Sequence, residues 1–165
     1  MRAKLEVAKP ADAAAIAALW LAASEHLTAK YGEGPWSGKR SEKGVLYEMR
    51  NATVYVLRRR NKLIATVTLG TTKPWAIDRT FFSQCHRPLY LTSMAVAPDW
   101  QRQGIGRLCI ETATKLAKQR PGDAIRLDAY DAEAGAGEFY RKCGFREAGR
   151  ASYRKCPLIY FELLL

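Results

Sequence analysis

Two periodicities alternate along this chain of 165 residues. Lys4 to Ala8 alternates apolar and charged positions as a short strand does. Ile16, Leu19, Trp20, Ala23 and Leu27 then recur at helical spacing, one face toward a core, with Asp12 in the first turn where its charge suits the dipole. Tyr31 to Gly38, with its glycines and Pro35, reads as a loop, and Val45 to Met49 as a weaker helical stretch. Thr53–Arg58 and Leu63–Thr71 are rich in β-branched residues and flank the charged turn Arg58-Arg59-Arg60-Asn61-Lys62, which predicts an antiparallel hairpin. Lys73–Phe82 interrupts the pattern as a long connection, with Trp75, Phe81 and Phe82 expected to plug the core beneath it.

The nearly continuous apolar run Leu89–Val96 suits a central strand covered on both faces. A helix follows, with Ile105, Leu108, Cys109, Thr112 and Leu116 as its inward stripe and Arg120-Pro121-Gly122 as its stop. Ala124–Tyr130 is another strand, and Ala136, Phe139, Tyr140 and Cys143 share one face of a short helix that Gly144 ends. Two last strands, Phe145–Tyr153 and Leu158–Leu164, are separated by Arg154-Lys155-Cys156-Pro157. The order is mixed α/β, one domain over 1–165, and a chain of this size buries roughly 70% of its unfolded surface without staples. At a sheet edge, the apolar strand Leu158–Leu165 would pair across a homodimer interface.

The chemistry concentrates where the run Met94-Ala95-Val96 enters the turn Gln101-Arg102-Gln103-Gly104-Ile105-Gly106 and then a helix. Gly104 and Gly106 allow positive φ and close backbone approach, while the helix N-terminus offers unpaired amides and the positive dipole end to an anion. Gln101, Arg102, Gln103 and Arg107 add side-chain donors. A dinucleotide fingerprint would need a third glycine where Arg107, Leu108 and Cys109 stand, and a P-loop would need Gly-Lys-Ser/Thr.

This turn resembles the acyl-CoA pyrophosphate loop of the GNAT N-acetyltransferase superfamily. A second element, Ala136-Gly137-Glu138-Phe139-Tyr140-Arg141-Lys142-Cys143-Gly144-Phe145, resembles the family's Ala-x-x-Phe-Tyr-x-x-x-Gly-Phe segment, in the family's order. The resemblance implies a three-layer fold with a mixed, mostly antiparallel sheet of about seven strands, splayed between the fourth and fifth. The gap would lie between Met94-Ala95-Val96 and Leu127-Asp128-Ala129. It also implies acetyl transfer from acetyl-CoA to a primary amine by direct attack, without a metal. Backbones of Met94, Ala95 and Val96 would pair with the pantetheine arm, residues 101–107 with the pyrophosphate, and the Tyr140 hydroxyl would protonate the leaving sulfur. A phenol of pKa about 10 is a reasonable donor to a thiolate of pKa about 8.5. A non-catalytic acyl-CoA sensor of the same fold is the alternative.

Two positions depart from the family pattern. Glu133 stands where the family often has an asparagine against the arm, and an ionised carboxylate accepts but does not donate. The fourth strand offers only Tyr90, Thr92 and Ser93 as polar groups, leaving Glu25, His26, Glu33, Asp128 and Asp131 as bases without a choice among them. Gly135 and Gly137 loosen the short helix relative to alanine. Trp36, Trp75 and Tyr153 would stack on an acceptor or simply pack. The acceptor, a small molecule or a protein amine, is not readable.

A formal net charge of +11 fits a small polyanion; no zinc finger, helix-turn-helix or RNP signature points to nucleic acid. Four cysteines without a Cys-x-x-Cys pair and two histidines imply reduced thiols and no zinc site. The charged start Met1-Arg2-Ala3-Lys4-Leu5-Glu6 is unlike a leader, no segment has membrane-spanning length, and the expected location is cytoplasmic.

Overall fold

The computed structural model describes residues 4–165, so the reading of Met1, Arg2 and Ala3 lies outside the described residues. Seven strands form one sheet: β1 (Leu5–Val7), β2 (Thr53–Arg59), β3 (Lys62–Gly70), β4 (Pro88–Val96), β5 (Ala124–Tyr130), β6 (Arg146–Tyr153) and β7 (Cys156–Leu164). Their spatial order is β1-β2-β3-β4-β5-β7-β6, and only β4 and β5 run parallel. The helices are α1 (Ala13–Tyr31), α2 (Glu42–Asn51), α3 (Ile105–Gln119) and α4 (Gly137–Lys142). The mixed, mostly antiparallel architecture is thus as the resemblance implies.

Alternation along the strands divides the core between two faces. Leu57, Leu89, Leu91, Ile125 and Leu127 pack against Ile105, Cys109, Ile110 and Ala113 of α3, while Val54, Val56 and Ala95 pack against Ile16, Leu19 and Ala23 of α1. The buried stripe of α3 is Ile105, Cys109, Ile110, Ala113 and Ala117, so Leu108, Thr112 and Leu116 flank it rather than lead it. Burial pushes the Cys109 thiol up to about 12, which makes it a small apolar core group. Asp12 does not cap α1 with its side chain. It accepts from the Lys9 N–H at 2.8 Å and pairs with Arg58, tying the helix start to β2.

Both hairpins turn through two residues with positive φ and no glycine: Arg60 and Asn61 (48° and 61°), and Arg154 and Lys155 (50° and 63°). Cys156 and Pro157, expected in the second turn, already belong to β7. That strand lies between β5 and β6, so it is no edge and the homodimer pairing read for it does not apply; β1 and β6 are the edges.

The β3–β4 connection covers the face of β5 and β7 that α1 and α2 leave open. Ile77 and Phe82 plug it against Tyr90, Leu158 and Tyr160, and the Tyr160 hydroxyl donates to the Ala76 carbonyl. Phe81 is partly exposed, and Trp75, at 90% exposure, plugs nothing. Beneath this connection Arg126 and Glu162 form a buried pair at 3.0 Å, joined by Arg146 at 3.2 Å and the Ser83 backbone N–H at 3.2 Å. A buried carboxylate without such partners would lose several kcal/mol.

Candidate functional site

The β4–β5 ladder has three rungs, Pro88–Ala124, Leu89–Ile125 and Tyr90–Arg126, and then the strands part. A bulge in β4 accompanies the parting. Thr66 faces Ala95 and Thr68 faces Thr92, so Ser93 and Met94 oppose Val67 alone, and Ser93 takes a φ of 52°. A serine in the left-handed region costs of order 1 kcal/mol and persists where its surroundings hold it. Here Arg40 holds it: Nη1 donates to Ser93 Oγ at 2.7 Å, and the guanidinium stacks 4.1 Å from the Trp20 ring centre.

A cavity of about 580 Å³ opens at the parted strands. Its walls are Trp20, Ala23, Ser24 and Leu27 of α1, Trp36 of the α1–α2 loop, Met94, Ala95 and Val96 of β4, the turn before α3, and Ala136, Phe139, Tyr140, Lys142 and Cys143 around α4. Trp36 is fixed by three contacts: its carbonyl accepts from Ser24 Oγ at 2.7 Å, its Nε1 donates to Thr28 Oγ1 at 3.1 Å, and its ring meets Tyr130 edge-on at 5.9 Å. Trp20 and Leu27 were legible only as core positions, because a helix face lining a cavity has the same apolar period as one lining a core. The buried Trp20 Nε1 has no partner among the described residues.

The turn before α3 is shaped by backbone. Gly104 is its N-cap with φ 80°, and Arg102 has φ 58°. Gly106 admits Phe139: a Cβ there would meet the ring at 3.1 Å. The first-turn amides of α3 have no partner four residues back and lie beside Gly104 and Gly106 on the cavity wall. Of the side chains, Gln101, Arg102 and Arg107 line the cavity. Gln101 Nε2 also donates to the Val96 carbonyl at 3.0 Å, and Arg107 Nη2 to the Lys142 carbonyl at 3.0 Å, which links the turn to α4 across the cleft. Gln103 is exposed and donates to the Asp99 carbonyl, and Ile105 is buried in the core; neither lines the cavity.

Tyr140 is buried on α4 between Phe139, Phe145 and Phe161, with ring centres 5.2 to 5.9 Å apart, and reaches the cavity. Burial, and next the charge of Asp128, push its phenol well above the ordinary value, so it carries its proton at any physiological pH. The loop preceding α4 is tighter than its glycines imply. A Cβ on Gly135 would lie 1.8 Å from the Tyr130 carbonyl oxygen, so close approach rather than looseness requires that glycine, whereas a Cβ on the buried Gly137 would meet Ile159 at an ordinary 3.4 Å. Glu133 is exposed and away from the cavity wall.

Among the groups read as bases, Glu25, His26 and Glu33 are exposed and do not line the cavity, and Asp131 pairs with Arg150 at 3.1 Å. Asp128 differs. It is half-buried on β5 two residues beyond the last β4–β5 rung, and no ion pair among the described residues engages it. Burial pushes its carboxyl above the ordinary range. Leu127 and Ala129 face α3, so Asp128 points to the opposite face of the sheet from Tyr140. Trp75 and Tyr153 do not line the cavity. Among the described residues no three His, Cys, Asp or Glu side chains gather as a metal site requires, and no helix is long and apolar enough to cross a membrane.

A parted sheet, an amide-lined turn and a buried phenol meet at one cleft. A sequence profile described as the acetyltransferase (GNAT) family matches residues 20–145, and the chain belongs to that family. It is 38% identical over 60 residues to the glucosamine 6-phosphate N-acetyltransferase of Schizosaccharomyces pombe, a stretch covering 36% of this chain and 51% of that protein. The chain thus spans about half the length of this curated relative. Its fold is similar to that of the ribosomal-protein-S18-alanine N-acetyltransferase of Escherichia coli, with TM-score 0.74 and 19% identity over 99% of this chain and 94% of that one. The Salmonella typhimurium acetyltransferase solved with its cofactor acetyl-CoA has TM-score 0.71 and 16% identity over 99% and 94%.

Proposed function

We propose that this protein transfers an acetyl group from acetyl-CoA to a primary amine by direct attack. The observation that carries the reading is the cleft itself: unpaired strand backbone on one side, a buried phenol on the other, and an amide-lined turn with Arg102 and Arg107 at its mouth. The pyrophosphate would lie at the α3 N-terminus, where backbone N–H groups and two guanidiniums meet its charge. The pantetheine amides would take up the strand groups of Met94, Ala95 and Val96 that β5 leaves unpaired.

The reaction divides between the two faces of the sheet. An amine nitrogen adds to the thioester carbon and forms the C–N bond, and its proton passes to Asp128 on one face. The C–S bond then breaks, and the departing sulfur takes the proton of Tyr140 from the other. The phenolate regains a proton from solvent as Asp128 loses its own, which leaves the amide and the free thiol. Burial raises the phenol, and it raises a thiolate enclosed beside it in the same direction, so the proton transfer stays matched. The raised carboxyl of Asp128 is a better proton acceptor than an exposed aspartate would be.

Titration of acetyl-CoA and of 3′-dephospho-CoA, followed by thiol release with a panel of primary amines, tests the reading. Micromolar binding and turnover with at least one amine are expected. Binding without turnover on any amine would favour the acyl-CoA sensor, and no binding of either ligand would remove both.

A further inference from the structure

A second pocket lies at the other end of β4 and takes no part in this chemistry. It encloses about 380 Å³ between the β3–β4 connection, the start of β4 and the end of α3. Lys73, Arg79, His86, Arg87 and Arg120 line it, and no carboxylate does. Two acids stand beside it: Asp123 accepts the backbone N–H groups of His86 and Arg87 at 2.6 and 3.0 Å, and Asp78 accepts the N–H and hydroxyl of Thr80. Lys73 donates to the carbonyls of Pro74 and Ile77, and Arg120 to Thr53 Oγ1, so the basic groups of the lining outnumber the two carboxylates beside it, Asp78 near Lys73 and Asp123 near His86. Arg79 and Arg87 make no ion pair among the described residues. Elsewhere the basic surface is laced with acids, as where Arg141 and Arg150 share Glu147.

An excess of cations around one concavity attracts a multiply charged anion. The Tyr90 ring in the lining is buried, which leaves the His86 imidazole as the one exposed ring of the lining. From Pro88 to Met94 is six residues of strand, about 20 Å at roughly 3.3 Å per residue, so a ligand here does not reach the cleft. We infer that this pocket binds a small polyphosphate anion, read by charge and independent of the acyl donor.

Inorganic pyrophosphate is the probe, and the imidazole NMR resonances of His86 report on the pocket, with His26 on exposed α1 as the internal control. Pyrophosphate is expected to shift His86 and leave His26 in place. Arg79→Gln/Arg87→Gln, which removes two exposed side chains, raises the midpoint of that shift about tenfold or more, whereas Arg102→Gln/Arg107→Gln leaves it unchanged. The inference is overturned by a His86 resonance that pyrophosphate does not move. An equal midpoint in the parent and the Arg79/Arg87 variant overturns it too, as does a response to duplex RNA alone. None of these readouts depends on acetyl-CoA binding or turnover.

Discussion

The two walls of the cleft work by different means. The wall formed by β4, its turn and α3 offers mostly backbone: the stretch Met94 to Val96 that β5 does not pair, and the amides exposed by Gly104 and Gly106. The wall formed by α4 offers a single side-chain group, the Tyr140 hydroxyl, and the proposed base Asp128 stands on β5 outside the cavity lining; burial displaces both from their ordinary proton affinity. A backbone wall binds whatever its side chains are, provided its conformation holds. A side-chain wall loses its chemistry with one atom.

Tyr140→Phe is the sharpest way to break this contrast. Removal of a general acid is expected to lower turnover by about a hundred- to a thousandfold while acetyl-CoA affinity stays within about twofold, as read by steady-state kinetics and calorimetry. Asp128→Asn comes next, with turnover down about a hundredfold. The parent rate should rise with pH as Asp128 ionises through its raised pKa, and the variant should lack that acid limb. Stability moves the other way. The folded chain binds this proton more tightly than the unfolded chain, so the associated stabilisation is present at low pH and lost as pH rises through the raised value. The asparagine variant should therefore melt no lower than the parent at pH 7, and a clear drop in its Tm would count against this view of Asp128.

Gly104→Val addresses the backbone wall. A β-branched residue forced to φ near 80° is expected to weaken acetyl-CoA binding about tenfold, with turnover at saturation changed less than about threefold. Equal losses in binding and turnover would erase the distinction between the walls. Glu133→Ala is the smallest change: exposed and remote from the cavity, it should alter neither quantity more than about twofold, the usual size of a surface effect.

The backbone wall was the more legible of the two in the sequence. Gly104 and Gly106 behind an apolar strand announce a turn of restricted geometry, and Phe139-Tyr140 before Gly144-Phe145 places α4. The bulge at Ser93 left no such mark, because a serine in the left-handed region is held there by Arg40, fifty-three residues away in the chain. Asp128 was one acid among several until β5 was seen to leave β4 after Arg126. Gly135 reads as looseness when only helix propensity is weighed, and as tight packing once the Tyr130 carbonyl is beside it. Trp75 shows the reverse failure, an aromatic residue assigned to the core from its type and left almost wholly in solvent.

The three-rung junction of β4 and β5 makes this sheet an unfinished one, with strand backbone beyond Tyr90 that β5 does not pair. A ligand lodged there binds the folded chain and has nothing to hold in the unfolded one, so mass action adds about 2.7 kcal/mol of stability at a hundred times its Kd. On the proposed function, the melting temperature is therefore expected to rise with acetyl-CoA concentration as a gauge of cleft occupancy.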